Sequence, residues 1–198
     1  MVTTSVIPVL ELFRETGAYL NGHFRLTSGL HSPEYLQCAL VLQHPRHAET
    51  LGKALGEALA GLPNMQKIDT VVSPAMGGLI IGHEVARALG ARHIFTERDA
   101  ERKMTLRRGF AVVPGETMVV IEDVITTGGS SAEVVELLRA AGAQVLGAGS
   151  IIDRSGGRAD LGVPRIALAT LDVLAWEPAV CPLCAEGLSV VKPGSRPS

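Results

Sequence analysis

From residue 68 onward, the chain alternates short apolar segments with amphipathic ones, and this alternation constrains the fold more than any other feature. Strands are predicted at 68–73, 92–97, 116–123, 143–153 and 165–173, and helices at 77–90 and 129–142. Both helices end in glycine, which readily adopts the left-handed conformation that terminates helices. Apolar strands that alternate with helices are typical of a mainly parallel sheet covered on both faces. We therefore predict an α/β domain with a mainly parallel sheet flanked by helices.

The N-terminal part of the chain has a different pattern. Residues 6–20 have apolar side chains at helical spacing, and a longer amphipathic helix is predicted from Pro45, which stands at a favoured first-turn position. The stretch between them, residues 22–40, alternates and turns like a short hairpin. The sequence has no internal repeat. We expect residues 1–198 to form a single domain in which 1–44 are a small N-terminal appendage and 178–198 a C-terminal tail.

Composition and charge exclude several functional classes. The formal net charge is −2, whereas proteins that bind nucleic acid through general basicity carry clustered Lys and Arg. No apolar run approaches the roughly 18 residues that a membrane span requires, and the N-terminus lacks a basic start followed by an apolar block. The sequence therefore predicts a cytoplasmic protein with neither a nucleic-acid nor a membrane partner.

The three cysteines do not form a disulfide framework. Cys38 stands alone, and Cys181 and Cys184 form one C-x-x-C pair without a second pair at zinc spacing. A structural zinc site and a redox motif remain alternatives. We interpret the pair as reduced and partly packed.

The segment "VVIEDVITTGGSS", residues 119–131, places two acids at the end of an apolar strand and follows them with hydroxyls and glycines. In open parallel sheets, ligands lie beyond the carboxyl ends of strands, where helix N-termini favour anions. Carboxylates beside an anion cradle suit a ligand that carries both hydroxyls and a phosphate, such as a sugar phosphate. The alternative is an acidic strand end followed by a capped helix. No P-loop or dinucleotide motif occurs.

This segment resembles the phosphoribosyl-pyrophosphate loop of the type I phosphoribosyltransferases, which have an apolar strand, two acids, two further residues and then Thr-x-Gly. The resemblance implies the fold of that family and assigns Glu122 and Asp123 to the ribose hydroxyls, with Asp123 as a catalytic residue. The residues that follow bind the same substrate, mainly through its 5-phosphate: Val124, Ile125, Thr126, Thr127, Gly128, Gly129 and Ser130.

Two other segments resemble the orotate-specific members of that family. Residues 22–40 are similar to their N-terminal hood, which covers the base and has a Ser-Gly turn, a Ser-Pro pair and an aromatic residue. Ser28 and Tyr35 then bind orotate. The strand end "GSIIDRSGG" places Arg154 opposite the orotate carboxylate with help from Thr126, and a planar guanidinium suits a planar carboxylate. A solvated charge at a strand end is the alternative for Arg154.

The segment 73–82 is placed by the resemblance at the family's pyrophosphate loop. It implies that Ala75, Met76 and Gly77 bind phosphoribosyl pyrophosphate and that a non-proline cis bond joins Ala75 to Met76. Many orotate-specific members carry a lysine in this loop, whereas this chain has Gly77 near that place. A cation must therefore come from elsewhere or be absent.

The basic segment 96–110 corresponds to the family's mobile lid. The resemblance implies a homodimer whose lid residues act in trans, with Arg98 and Lys103 as substrate-binding residues and Lys103 as catalytic. Arg107 and Arg108 are predicted to be charges on a strand face. Such a lid excludes water and neutralises departing pyrophosphate.

Taken together, these resemblances imply transfer of a ribosyl 5-phosphate group from phosphoribosyl pyrophosphate to orotate, a step of pyrimidine synthesis. Mg²⁺ is the expected cofactor, bound mainly by substrate oxygens without a dedicated protein site. A purine-specific enzyme and a phosphoribosyl-pyrophosphate-sensing regulator on the same fold remain the alternatives.

Overall fold

The computed structural model describes residues 8–26 and 28–193, which contain eight strands and six α-helices. In chain order these are α1 (Val9–Glu15), β1 (Tyr19–Arg25), β2 (His31–Leu36), α2 (Cys38–Leu42), α3 (Pro45–Ala60), β3 (Thr70–Pro74), α4 (Gly78–Leu89), β4 (Arg92–Arg98), β5 (Met104–Leu106), β6 (Thr117–Ile125), α5 (Gly129–Ala140), β7 (Gln144–Asp153), β8 (Arg165–Thr170) and α6 (Pro182–Ala185). None of the described helices is long and apolar enough to cross a bilayer.

The main sheet has six strands in the order β5-β4-β3-β6-β7-β8. All neighbouring pairs are parallel except β4 and β5, which are antiparallel. The predicted α/β class with a mainly parallel sheet is confirmed. Strand β5 was not predicted, because its three residues lie within the charged segment and are too few to show a periodic pattern.

Successive residues of the central strands point to opposite faces of the sheet, and each face packs against its own helices. Val71 and Val119 face the side covered by α3 and α4, where Leu55 is fully buried. Val72 and Val120 face the side covered by α5. Burial on both faces explains why these strands read as continuous apolar runs rather than alternating ones.

Strands β1 and β2 form the predicted antiparallel hairpin, with Tyr19 opposite Leu36 and Arg25 opposite His31. The C-terminal segment attaches to it. Trp176 exchanges backbone hydrogen bonds with His31, and Val191 bonds to the backbone of residues 23 and 25. Residues 176–191 are therefore held against the hairpin, and residues 194–198 of the expected tail lie outside the described part of the chain.

The order of the strands positions the candidate site. From β3 the chain passes through α4 to β4 on one side, and it later returns to β6 on the other side. Helices α4 and α5 pack on opposite faces of the sheet. The loops after β3 and β6 therefore diverge, and a crevice opens between them at the carboxyl ends of the strands, which is where open α/β sheets bind ligands.

Candidate active site

The loop after β6, residues 126–130, forms a polar cradle at the start of α5. Gly128 has a positive φ of 84°, and a Cβ there would lie 2.6 Å from Leu161 Cδ2, so both the backbone conformation and the close packing favour glycine. A cavity of about 120 Å³ is lined by Glu122, Val124, Ile125 and residues 126–131. The cradle meets the positive end of α5, which favours an anion.

Glu122 and Asp123 lie at the end of β6, beside this cradle. Ser131 Oγ donates a hydrogen bond to Glu122 Oε2 at 3.1 Å, and the Val124 backbone N–H donates to Asp123 Oδ1 at 2.9 Å. Burial, and secondly the charge of Asp123, raise the pKa of Glu122 to about 8, and burial also raises the pKa of Asp123. Adjacent, half-buried acids with raised pKa values are typical of a site that gains hydroxyl donors or a cation on binding.

The loop after β3 approaches the same acids. A Cβ at Gly77 would lie 2.5 Å from Asp123 Oδ1 and 2.6 Å from its Oδ2, so a residue with a side chain could not stand there without displacing the carboxylate. The peptide bond between Ala75 and Met76 is cis, which confirms that prediction. The Met76 side chain is 81% exposed, so it is not part of the core.

Arg154 directly follows β7, the neighbour of β6, and its backbone N–H donates to Ile125 O at 2.8 Å. The guanidinium is half-buried, yet the described residues supply neither an ion-pair partner for it nor a hydrogen-bond partner for its buried Nε. Burial lowers its pKa, against the influence of Tyr35 and Glu34, but arginine stays charged near neutral pH. A half-buried cation without a protein partner is suited to an anionic ligand.

One cavity of about 340 Å³ joins eight of the seventeen residues that the sequence predicted. It is lined by Ser28 and Tyr35 of the hairpin region, by Arg154, and by the end of β6 and the loop after it. The predicted members on its lining are Ser28, Tyr35, Asp123, Val124, Thr126, Thr127, Ser130 and Arg154. A groove of about 430 Å³ between α3 and α4 contains none of them.

The charged segment 96–110 meets the cradle through Arg98. Its Nη1 lies 3.1 Å from Glu133 Oε2, and its Nη2 donates to Ser130 Oγ at 3.4 Å within the same chain. Lys103 is exposed, and its backbone N–H donates to Asp99 Oδ1 at 2.8 Å. The structure therefore brings Arg98, but not the Lys103 ammonium, into contact with the phosphate cradle.

Arg107 and Arg108 follow β5, so the prediction that they are charges on a strand face is wrong. Arg108 forms a two-point ion pair with Glu97 of β4, at 2.7 and 2.8 Å, from a turn rather than from a strand. Arg107 is exposed.

Sequence reasoning missed a buried ion pair next to Arg154 in the chain. Asp153 is 1% exposed and pairs with Arg165 at 2.6 Å, while its Oδ1 accepts hydrogen bonds from the backbone N–H and hydroxyl of Ser155. Burial would raise the pKa of Asp153, but the hydrogen bonds from Ser155 and Arg165 outweigh it and lower the pKa. The only signal was an acid at the end of an apolar strand, which does not identify its distant partner.

Comparison with known proteins agrees with this geometry. The phosphoribosyl transferase domain family matches residues 41–163. A solved adenine phosphoribosyltransferase from Thermoanaerobacter pseudethanolicus is similar in fold, with 20% identity, coverage of 70% of this chain and 88% of that one, and a TM-score of 0.61. Similarity of fold alone therefore does not show which base a protein of this family uses.

Sequence similarity is more selective. The orotate phosphoribosyltransferase of Pelotomaculum thermopropionicum is 54% identical over 188 residues, which span 95% of this chain and 96% of that protein. The crystal structure of orotate phosphoribosyltransferase from Aeropyrum pernix covers 82% of this chain and 93% of its own, with 27% identity and a TM-score of 0.66. Identity of this extent over nearly the whole length, together with the cradle, the acid pair and Arg154, shows that the chain belongs to the orotate phosphoribosyltransferase family of type I phosphoribosyltransferases.

Proposed function

We propose that this protein transfers the ribosyl 5-phosphate group of phosphoribosyl pyrophosphate to orotate, giving orotidine 5-phosphate and pyrophosphate. The observation that carries the proposal is the cavity that places Arg154, which lacks a described partner, opposite Asp123 and the phosphate cradle. A ligand that spans this cavity needs an anionic group at one end and a hydroxylated phosphate at the other. Orotate joined to ribose 5-phosphate has both.

Phosphoribosyl pyrophosphate binds through its 5-phosphate to the backbone amides and hydroxyls of residues 126–130. Its ribose hydroxyls donate to Glu122 and Asp123. Because these half-buried carboxylates lie beside each other and have raised pKa values, hydroxyl donors stabilise their charged forms. The sugar is thereby fixed with its anomeric carbon facing the base.

Pyrophosphate lies along the loop of Ala75, Met76 and Gly77, next to Asp123. Glu122 and Asp123 also fit the expected Mg²⁺, which binds through one or two carboxylates together with substrate phosphates and water. When bound, Mg²⁺ neutralises charge on the leaving pyrophosphate. The same two acids also hold the ribose hydroxyls.

Orotate lies beneath the hairpin region. Its carboxylate accepts hydrogen bonds from Arg154 and the Thr126 hydroxyl, while Ser28 and Tyr35 cover the ring. The nitrogen of the base displaces pyrophosphate at the anomeric carbon. No covalent enzyme intermediate is needed, because positioning two substrates and stabilising the charge of the transition state supply the rate.

The lid completes the site in a homodimer. Arg98 already contacts Ser130 of its own chain, which supports a role in cis. Lys103 is exposed at the tip of the segment and is the cation that reaches the partner's pyrophosphate in trans. The cytoplasmic location expected from the sequence stays a prediction.

The substrate test uses the purified protein with phosphoribosyl pyrophosphate, Mg²⁺ and each candidate base in turn. We expect consumption of orotate only. Consumption of adenine or hypoxanthine but not orotate would establish the purine alternative, and binding of phosphoribosyl pyrophosphate without consumption of any base would establish the regulator.

A further inference from the structure

We propose that His23, His31, Cys181 and Cys184 bind a structural Zn²⁺ that fastens the C-terminal segment to the β1–β2 hairpin. One ligand atom from each of these side chains lies within 4.8 Å of the other three. His23, His31 and Cys181 are 4%, 6% and 3% exposed, so the cluster is largely buried. In the sequence, the lack of a second cysteine pair argued against a zinc site. In the structure, His23 and His31 supply the two remaining ligands, so that argument no longer applies.

The distances among the ligand atoms suit tetrahedral coordination. Bonds of about 2.3 Å to sulfur and 2.0–2.1 Å to nitrogen place ligand atoms about 3.3–3.8 Å apart around a tetrahedral Zn²⁺. Here Cys184 Sγ lies 3.3 Å from His31 Nδ1 and 3.7 Å from His23 Nε2, and Cys181 Sγ lies 3.5 Å from His23 Nε2, all within that range. The two ring nitrogens are 2.9 Å apart, closer than that range, and have to move apart slightly when the ion binds. A set of two sulfurs and two nitrogens favours zinc over calcium or magnesium.

The hydrogen bond on the other side of the His23 ring also favours a role for His23 as a metal ligand. Its Nδ1 lies 2.8 Å from Leu188 O, so Nδ1 carries the proton and donates, which leaves the Nε2 lone pair facing the cluster. Metal-binding histidines are commonly oriented by such a bond to a backbone carbonyl. The carbonyl belongs to the same C-terminal segment as the cysteines, so that segment supplies both the sulfur ligands and the orientation of the ring.

The C-terminal segment needs a cross-link because it has little apolar burial of its own. Val180 is 71% exposed, Leu188 50% and Val191 53%, and the segment's two short helical turns contain no buried residue. Metal ligation supplies folding free energy where a small element lacks a core. Without metal, the described contacts of the cysteine side chains are weak hydrogen bonds to imidazole nitrogens.

The fastening also affects the candidate active site. Val173 and Ala175, just before the segment, line a cavity of about 370 Å³ together with Ser28 and Arg154. This consequence rests on the proposed function, since it assumes that orotate lies beside Ser28 and Arg154, which line both this cavity and the one of about 340 Å³. The zinc site itself does not, and a failed substrate test would leave it standing.

Metal content tests the site directly. Protein purified under reducing conditions from zinc-containing medium should hold about one Zn²⁺ per chain by elemental analysis. The Cys181→Ser/Cys184→Ser variant should lose it, and the Cys38→Ala variant, a matched control for a thiol elsewhere, should keep it. Absence of zinc from the wild type after incubation with Zn²⁺, or an equal zinc content in the double variant, overturns the proposal.

Alkylation of the wild-type protein gives the answer even if the double variant fails to fold. Zinc-bound thiolates should react slowly, and a chelator that removes the metal should speed alkylation of Cys181 and Cys184, as located by peptide mass spectrometry. Exchange with Co²⁺ should give the absorption of a tetrahedral thiolate complex. Equal alkylation with and without chelator, or a disulfide between the two cysteines, rejects the site.

Discussion

Arg154 offers the sharpest test of base recognition, because its guanidinium has no described protein partner to complicate the result. Arg154→Ala removes the group that would pair with the orotate carboxylate, while leaving the phosphate cradle untouched. We expect kcat/KM for orotate to fall and kcat/KM for phosphoribosyl pyrophosphate to change little.

The magnitude follows from the burial of the side chain. Truncating one partner of a buried, hydrogen-bonded charge pair costs about 2–5 kcal/mol. Arg154 is half-buried, so we take the lower part of that range, about 2–3 kcal/mol, which corresponds to a loss of about 30- to 150-fold in kcat/KM for orotate. The kcat/KM of Arg154→Lys for orotate should lie between those of the wild type and Arg154→Ala, because lysine keeps the charge but not the planar fork.

The assay follows orotate consumption with one substrate varied and the other saturating. Arg87→Ala is the matched control, since Arg87 pairs with Glu84 on the exposed side of α4 and lines the groove between α3 and α4 that contains none of the predicted site residues. Exposed pairs contribute about 0–1 kcal/mol, so this variant should lose less than about fivefold. Equal losses for both substrates, equal losses in the two variants, or a collapse of the melting temperature in Arg154→Ala would refute the reasoning.

Four further predictions concern the acids, the neighbouring glycine and the lid. Asp123→Asn should lower turnover while the melting temperature is preserved, because the two side chains are nearly isosteric; an unchanged rate would remove Asp123 from the site. Because the pKa of Glu122 is raised to about 8 from about 4.3 in an unfolded chain, its stabilising contribution is complete below about pH 4.3 and is lost as pH rises through about 8. In the ligand-free protein, the melting temperature of Glu122→Gln relative to wild type should therefore rise over that interval, and a constant difference would contradict the assignment. Gly77→Ala should displace the Asp123 carboxylate and reduce turnover by up to ~100-fold, as measured beside Gly61→Ala, whose Cβ would lie no closer than 3.4 Å to the surrounding atoms. Mixing inactive Lys103→Ala with inactive Asp123→Asn should restore at most about a quarter of wild-type activity, because half the dimers are mixed and one site in each is intact. With Arg98→Ala in place of Lys103→Ala we expect no recovery, and failure of both mixtures despite demonstrated subunit exchange would place the lid in its own subunit.

The sequence alone determined those parts of the site that are contiguous in the chain. Glu122, Asp123 and the cradle at 126–130 form one strand, turn and helix start, so their relative placement follows from local backbone geometry and strand direction. The parallel sheet also followed from the sequence, because buried strands that alternate with helices are typical of that architecture. The family resemblance placed Arg154 at the end of a strand, and the structure shows that this strand, β7, is the parallel neighbour of β6.

Only the tertiary structure decided which distant residues meet. His23 and Cys181 are separated by 158 positions, and no local pattern indicates that a hairpin and a C-terminal turn bring them together. The pairing of Asp153 with Arg165, the contact of Arg98 with Ser130 and the antiparallel strand β5 also depend on packing between separate elements. Such contacts are chosen by the free energy of the whole fold, in which each partner is fixed by burial elsewhere, so the residues at either end carry no separate signal of the pairing.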